Sequence, residues 1–584
     1  MNSKNTFLPT NIEEGKAYYN SHGSSFQFDI IFISGDPYYD HPLSGTALIA
    51  RLLDTKGYTV AIIPQPTTDK DYQVCGIPKY FFCITSGLLD SMLANYTPML
   101  RKRENVNVPE RALMAYTSNV KRLFKGSFTV IGGVEATIRR FAHFDYWDNK
   151  LRKGILNDTK ADILIFGNAE RPLLNLLNVF TKKTGTKADI SLEDYKNIDG
   201  IAFRISKNQL PKNIRLLPSF EEQLEDKEKY NLAHRTRYLL PDDAFIEQTG
   251  LGYIQHNRAS HPLTEGEMDL VYGIHFTRKL HPATKDFNAV TDMLNGFENS
   301  VILGRGCWAG CHFCVIPLVQ GKNIAKRSKE SILKEIKMLY EEGNKKINDL
   351  TMPTINMYGS YCALYNVAEK IHSPIIGKEI TVYNKEEYCN QVCVGCKYRV
   401  MRDDLIPLLE EVEKLNKKHN GELEIRSAIR HDIILDQKKL FRKIMQFVSR
   451  LKIAPEHISD NVLAQMNKSN KKAFEEFLKE YKLVNKEQGT NKNLVPYFVV
   501  AHPGSTMESM KELRKFSEEN GLFVNLTQVF TPTPGTISTA MYYTGENPIT
   551  KEKVHVPRTF REKKDQKRIM MGEKVEEELN DGNG

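Results

Sequence analysis

Ser300-Val-Ile-Leu-Gly-Arg-Gly-Cys307-Trp-Ala-Gly-Cys311-His-Phe-Cys314 begins as an apolar run of strand type and continues as a glycine-rich loop carrying three cysteines. Three cysteines this close can turn their sulfurs towards one point, and glycine permits the backbone turns that this demands. Three thiolates leave one iron of a cubane without a protein ligand, and an open coordination position is where catalytic metal centres bind substrate. A zinc site usually pairs two C-x2-C knuckles. The spacing here is three residues and then two, which favours an iron–sulfur cluster over zinc. The loop follows a strand, at the end where barrel folds place their chemistry.

Outward from this loop, strand candidates recur at Ser300–Arg305, Asn348–Met352, Glu422–Ala428, Arg450–Ala454, Leu494–Ala501 and Val524–Phe530. Helical stretches separate them at Ser328–Glu342, Asp403–Lys417, Lys471–Gln488 and Met507–Asn520. Six βα repeats predict an open, six-stranded relative of the TIM barrel. One interruption, 358–401, holds Cys362, Cys389, Cys393 and Cys396, and the last three repeat the three-then-two spacing. Four thiolates would complete a closed site, either an auxiliary [4Fe-4S] cluster or a structural zinc.

Towards the start, Asp29–Gly35 reads as a buried parallel strand, Leu43–Lys56 as a helix ended by Gly57, and Tyr58–Pro66 as a second strand. Ser127–Gly133 and Ala161–Gly167 add strands that end in glycine, so an N-terminal doubly wound parallel sheet is expected. Gly132-Gly133-Val-Glu135 reads as a strand-to-helix turn whose glycines could admit a ligand's backbone approach, with a tight turn of ordinary packing the slightly favoured reading. The division expected is an α/β domain over 1–205, a connector over 206–295, the barrel with its Cys-rich insertion over 296–548, and a charged tail over 549–584. The tail reads as a solvated helix with a frayed end. Cys75 and Cys83 are too few for a third cluster and read as structural or unpaired.

Composition supports an ordinary globular protein: 41% of the 584 residues are hydrophobic and 26% charged. No segment has the apolar length of a membrane helix and the first residues do not read as a signal peptide, so no membrane partner and a cytoplasmic setting are expected. Nine cysteines then do not imply a disulfide framework. A formal charge of +9 is too mild to argue for nucleic acid.

Cys-x3-Cys-x2-Cys with Phe313 before the last cysteine resembles the signature of the radical SAM superfamily. Phe28–Tyr58, Val130–Lys150, Asn356-Met-Tyr-Gly, Leu451-Lys-Ile-Ala-Pro-Glu-His, Tyr497–Thr506 and Phe530-Thr-Pro-Thr-Pro together look like the YgiQ-type family within it. The resemblance implies a partial (β/α)6 barrel and a [4Fe-4S] cluster on Cys307, Cys311 and Cys314 that binds S-adenosylmethionine (SAM). A reducing protein such as flavodoxin or ferredoxin would supply the electron that cleaves SAM to methionine and a 5'-deoxyadenosyl radical, which abstracts hydrogen from an unassigned substrate.

Phe313 would lie near the adenine. Pro353 and Thr354 occupy the segment that holds the methionyl group, although Thr351-Met352 replaces the two glycines usual there. Ser427 and Arg430 are candidates for the ribose and carboxylate, and Glu456, His457 and His502 for proton transfer. An N-terminal doubly wound domain often accompanies cobalamin in such proteins. The Asp-x-His-x-x-Gly ligand motif is missing, Asp40-His41-Pro42 having the wrong spacing, so cobalamin is not expected. The competing readings are RNA or protein modification such as methylthiolation, and a non-catalytic iron–sulfur or zinc protein.

Overall fold

The computed structural model describes residues 6–21, 26–104, 106–183, 190–284, 296–524 and 527–573. Its first half builds one sheet from β1 (Ile30–Ser34), β2 (Val60–Pro64), β3 (Phe81–Thr85), β4 (Thr129–Gly132), β5 (Ile163–Ile165), β6 (Ile201–Ile205), β7 (Arg215–Leu216), β8 (Phe245–Thr249) and β9 (Gly252–His256). The spatial order is β2-β1-β3-β4-β5-β6-β9-β8-β7. The first five strands pair in parallel, as expected. Both faces are covered, which is why β1 is apolar throughout. Ile30 and Phe32 pack under helices Gly45–Thr55 and Glu170–Lys182, while Ile31 and Ile33 pack under Ala112–Leu123.

Two features depart from the sequence reading of this half. The central strand β3, Phe-Phe-Cys-Ile-Thr, is short and lacks alternation, and it went unread. Residues 206–295, expected as a connector, instead supply β7, β8 and β9, which join the sheet through antiparallel β6 and β9. Polar residues hide these strands: Glu247 of β8 is buried, and its carboxylate accepts from the Ala142 N–H. Residues 285–295 lie outside the described residues.

The barrel strands are β10 (Ser300–Ile302), β11 (Asp349–Thr351), β12 (Glu422–Leu423), β13 (Arg450–Glu456), β14 (Asn493–Val500) and β15 (Thr527–Val529). β10 pairs in parallel with β11, and β13, β14 and β15 with one another in that order. The third strand is shorter than expected. After β12 pairs with Lys346–Ile347, the ladder gives way to the Asp349 carboxylate, which accepts from the N–H groups of Arg426 (2.7 Å) and Ser427 (3.0 Å). Ile429 then bridges to Ile453. Among the described residues no ladder joins β10 to β15, so the barrel is open.

The insertion is ordered as a hairpin, Tyr365–Ser373 against Lys378–Lys385, and Tyr361–Cys362 pairs with Arg399–Val400. The tail helix Phe560–Met571 is not a solvated appendage. Lys563, Gln566 and Met570, spaced to share one face, are buried, while the neighbouring basic residues point outward. Residues 574–584 lie outside the described residues.

Candidate functional site

Gly306 sets the cysteine loop. Its φ of +90° is a left-handed conformation, and a Cβ there would stand 2.2 Å from the Asn323 carbonyl oxygen, so only glycine passes. Its N–H donates to Gln320 Oε1 (3.1 Å), and the Cys307 and Cys314 N–H groups donate to the carbonyls of Gly321 and Cys311. Trp308 is buried beneath, its indole N–H donating to Ser360 Oγ (2.9 Å).

The three thiols lie within one another's electrostatic reach. Burial pushes the Cys314 thiol up to about 12, with Cys311 adding to the shift, and raises Cys307 through burial and Cys311. Bare thiolates are disfavoured there, and a bound cationic centre reverses that balance. Arg430 already offsets part of it by donating from Nη1 to Cys311 Sγ (3.3 Å). Three neighbouring thiols with a cationic donor beside them fit an iron–sulfur cluster with three protein ligands.

The other nitrogens of Arg430 grip Asp432, Nε donating at 2.8 Å, and the Arg430 guanidinium holds the Asp432 carboxyl far below the carboxylate range against the opposing effect of burial. The guanidinium expected to face a SAM carboxylate is therefore shared between the cysteine loop and Asp432. Asp432 went unread in the sequence; its only signal is its place two residues beyond Arg430. Thr354 is buried with Oγ1 3.8 Å from Cys307 Sγ. Ser427 donates to Asp349 Oδ2 (2.7 Å) and accepts from the Met352 N–H (3.4 Å), so it ties the ends of the second and third strands together.

Glu456, His457 and His502 are all buried, but their bonding differs. His502 uses both nitrogens, Nδ1 donating to the Pro503 carbonyl (2.7 Å) and Nε2 accepting from Ser538 Oγ (2.6 Å). His457 accepts from the Ser459 N–H at Nδ1, leaves Nε2 without a hydrogen bond, and is lowered to about 3 by burial. Glu456 has φ +67° and is raised by burial, with Lys468 Nζ 3.8 Å away. Phe313 meets the His502 ring edge-on at 6.0 Å and packs with Phe530 and Tyr542.

A cavity of about 530 Å³ opens between the two halves. The sheet contributes Thr85, Gly132 and Gly133 at the C-terminal ends of β3 and β4, and the barrel contributes Arg305 and Thr351–Pro353. Leu43, Ile49 and Val130 make it mainly apolar. Glu170, also lining it, forms an ion pair with Arg305 at 2.7 Å. Asp36, on the same wall, is raised to about 6 by burial. The Gly132-Gly133 turn, whose sequence allows both plain packing and a ligand's approach, forms part of this wall. Among the described residues no helix is long and apolar enough to cross a membrane.

Family models match residues 7–294 (Radical SAM N-terminal), 301–517 (Radical SAM superfamily) and 525–573 (a domain of unknown function, DUF3362). The chain is 37% identical to a UPF0313 protein of Methanocaldococcus jannaschii over 97% of its own length and 92% of the relative's. It is 36% identical to a UPF0313 protein of Thermotoga neapolitana, over 95% and 96%. Among solved structures it is similar to TsrM, a radical S-adenosylmethionine methyltransferase from Kitasatospora setae with cobalamin and a [4Fe-4S] cluster bound. That likeness has 12% identity and a TM-score of 0.49, and covers 88% of this chain and 74% of the other. Nothing in the fold or in these likenesses supports the expectation against cobalamin. With the Cys307–Cys314 loop, the barrel and relatives matched almost end to end, the chain belongs to the UPF0313, YgiQ-type family of radical SAM enzymes.

Proposed function

We propose that the chain cleaves SAM reductively beside Cys307, Cys311 and Cys314 and directs the resulting 5'-deoxyadenosyl radical at a hydrogen of a substrate held in the 530 Å³ cavity. The observation that carries this reading is the double lining of the cavity, by the strand ends of the sheet and by the Thr351–Pro353 segment next to the cysteine loop. A cluster on three thiolates, when bound, supplies one electron and an open iron for the amino and carboxylate groups of SAM.

The chain's own residues bind and orient. Backbone carbonyls of the Thr351–Thr354 segment suit the methionyl ammonium whatever the side chains, and Ser427 on Asp349 steadies that segment. Arg430 offsets thiolate charge at Cys311. Leu43, Ile49 and Val130 keep water from the reacting space, while Arg305 and Asp36 offer charge to polar substrate groups. Glu456 and the free Nε2 of His457 are the groups suited to hold a proton. A one-electron protein such as flavodoxin or ferredoxin serves as reductant.

Anaerobic reconstitution with iron and sulfide, followed by dithionite and SAM, tests this. Formation of 5'-deoxyadenosine and methionine is expected. A loaded protein that forms neither overturns the reading.

Cobalamin is a second candidate occupant of the same cavity, because open parallel sheets take large ligands at the C-terminal ends of their strands. The chain has no Asp-x-His-x-x-Gly motif to supply a histidine ligand to it. Titration with hydroxocobalamin, read by visible absorbance, decides it: a saturable spectral change supports binding, and an unchanged spectrum removes it.

A further inference from the structure

The Cys-rich insertion brings Cys362, Cys389, Cys393 and Cys396 to the wall of one small cavity. Cys362 arrives on a short strand paired with Arg399–Val400, and the other three on the turn-rich segment that leads from the hairpin back to Arg399. Left-handed Gln391 (φ +62°) and Gly395 (φ +73°) reverse the chain between them. Four cysteines separated by up to thirty-four positions in sequence do not share a pocket through local geometry alone.

The surroundings are those of a thiolate centre. Lys385 Nζ donates to Cys389 Sγ (3.0 Å) and Arg399 Nη2 donates to Cys393 Sγ (3.2 Å). Lys322, which also lines the cavity, donates to the Gln391 carbonyl (2.9 Å) and side-chain oxygen (3.1 Å). Arg399 keeps Nε and Nη1 buried without a hydrogen bond among the described residues, and its guanidinium lies over the Trp308 ring at 5.0 Å. Three cations lining one pocket with four thiols, two of them donating to Cys389 and Cys393, are costly unless the thiols carry negative charge, as metal ligation requires.

We infer that Cys362, Cys389, Cys393 and Cys396 hold a second [4Fe-4S] cluster, all of whose irons have protein ligands and which therefore does not bind SAM. Spacing favours a cubane over a single zinc, because Cys389, Cys393 and Cys396 repeat the three-then-two spacing of the first loop rather than paired C-x2-C knuckles. The site adjoins the first: Lys322, Asn323 and Tyr365 line both this cavity and the one that touches Cys311 and Cys314. The inference stands whether or not SAM is cleaved at the first loop.

The test compares the full chain with Cys307→Ala/Cys311→Ala/Cys314→Ala and with Cys389→Ser/Cys393→Ser/Cys396→Ser after anaerobic reconstitution. Iron falls from about eight to about four per chain in each variant, and a cluster signal in the reduced first variant is unmoved by SAM. A first variant that retains no iron, or that holds about one zinc in its place, overturns the inference. Should the second variant fail to fold, the iron count and SAM-insensitive signal of the first still decide the matter.

Discussion

The Asp349 carboxylate accepts from two backbone N–H groups and from the Ser427 hydroxyl, donors that a full third strand and its neighbours would otherwise have to satisfy. Asp349→Ala leaves them unpaired in a buried place, and a loss of about 1–3 kcal/mol is expected as a lower midpoint in urea unfolding. Asp432 is a sharper case. Its removal strands the buried Arg430 guanidinium beside Cys311, so Asp432→Ala should cost about 3–5 kcal/mol in the same measurement, as breaking a buried ion pair does. The cysteines were legible because their spacing is local. Asp349 and Asp432 were not, because each matters through partners that only the folded chain supplies.

At the scale of elements, Gly306 decides whether the cysteine loop can form. Gly306→Ala drives a Cβ against the Asn323 carbonyl, and about half of the iron per chain should be lost if two clusters are present, read by iron and sulfide analysis. The helix Phe560–Met571 offers a different test. Gln566 Oε1 accepts from the Ala501 N–H (2.8 Å) and from Ser505 Oγ, and Nε2 donates to the Ser505 carbonyl. Gln566→Ala should cost about 1–3 kcal/mol of stability, read as a lower urea midpoint, without abolishing cluster assembly. Four parallel sheet strands and most barrel strands were readable as apolar runs, since burial on both faces removes polar residues. β8 and β9 were not, because buried polar side chains such as Glu247 and His256 break the pattern that marks a strand. The helix was misread for the opposite reason: its basic outer face masks the Lys563, Gln566 and Met570 stripe.

Across the whole molecule, several histidines are buried in the neutral form. His143, lowered by burial and by Arg139, and His431, lowered by burial, both fall to about 3 from an ordinary value of 6.5. The unfolded chain binds protons on them below pH 6.5 while the folded chain does not. Their contribution is thus fully present above pH 6.5 and is lost as pH falls towards 3, at up to ~1.4 kcal/mol per pH unit for each histidine. Urea unfolding followed from pH 7 to pH 5 should show the midpoint dropping across that interval.

The tail helix joins distant parts of the chain. Lys563 Nζ donates to Tyr146 of the first domain across 417 positions of sequence and to Tyr542 beside it. During synthesis at roughly 5–20 residues per second, Tyr146 therefore waits some tens of seconds for this partner to emerge. Through that interval the nascent first domain carries an apolar flank, Phe144 and Tyr146 among it, whose cover by Phe530, Ala540 and Tyr542 arrives late. Heterologous production should accordingly gain soluble yield from slower growth or added chaperone more than from any change in the cluster supply.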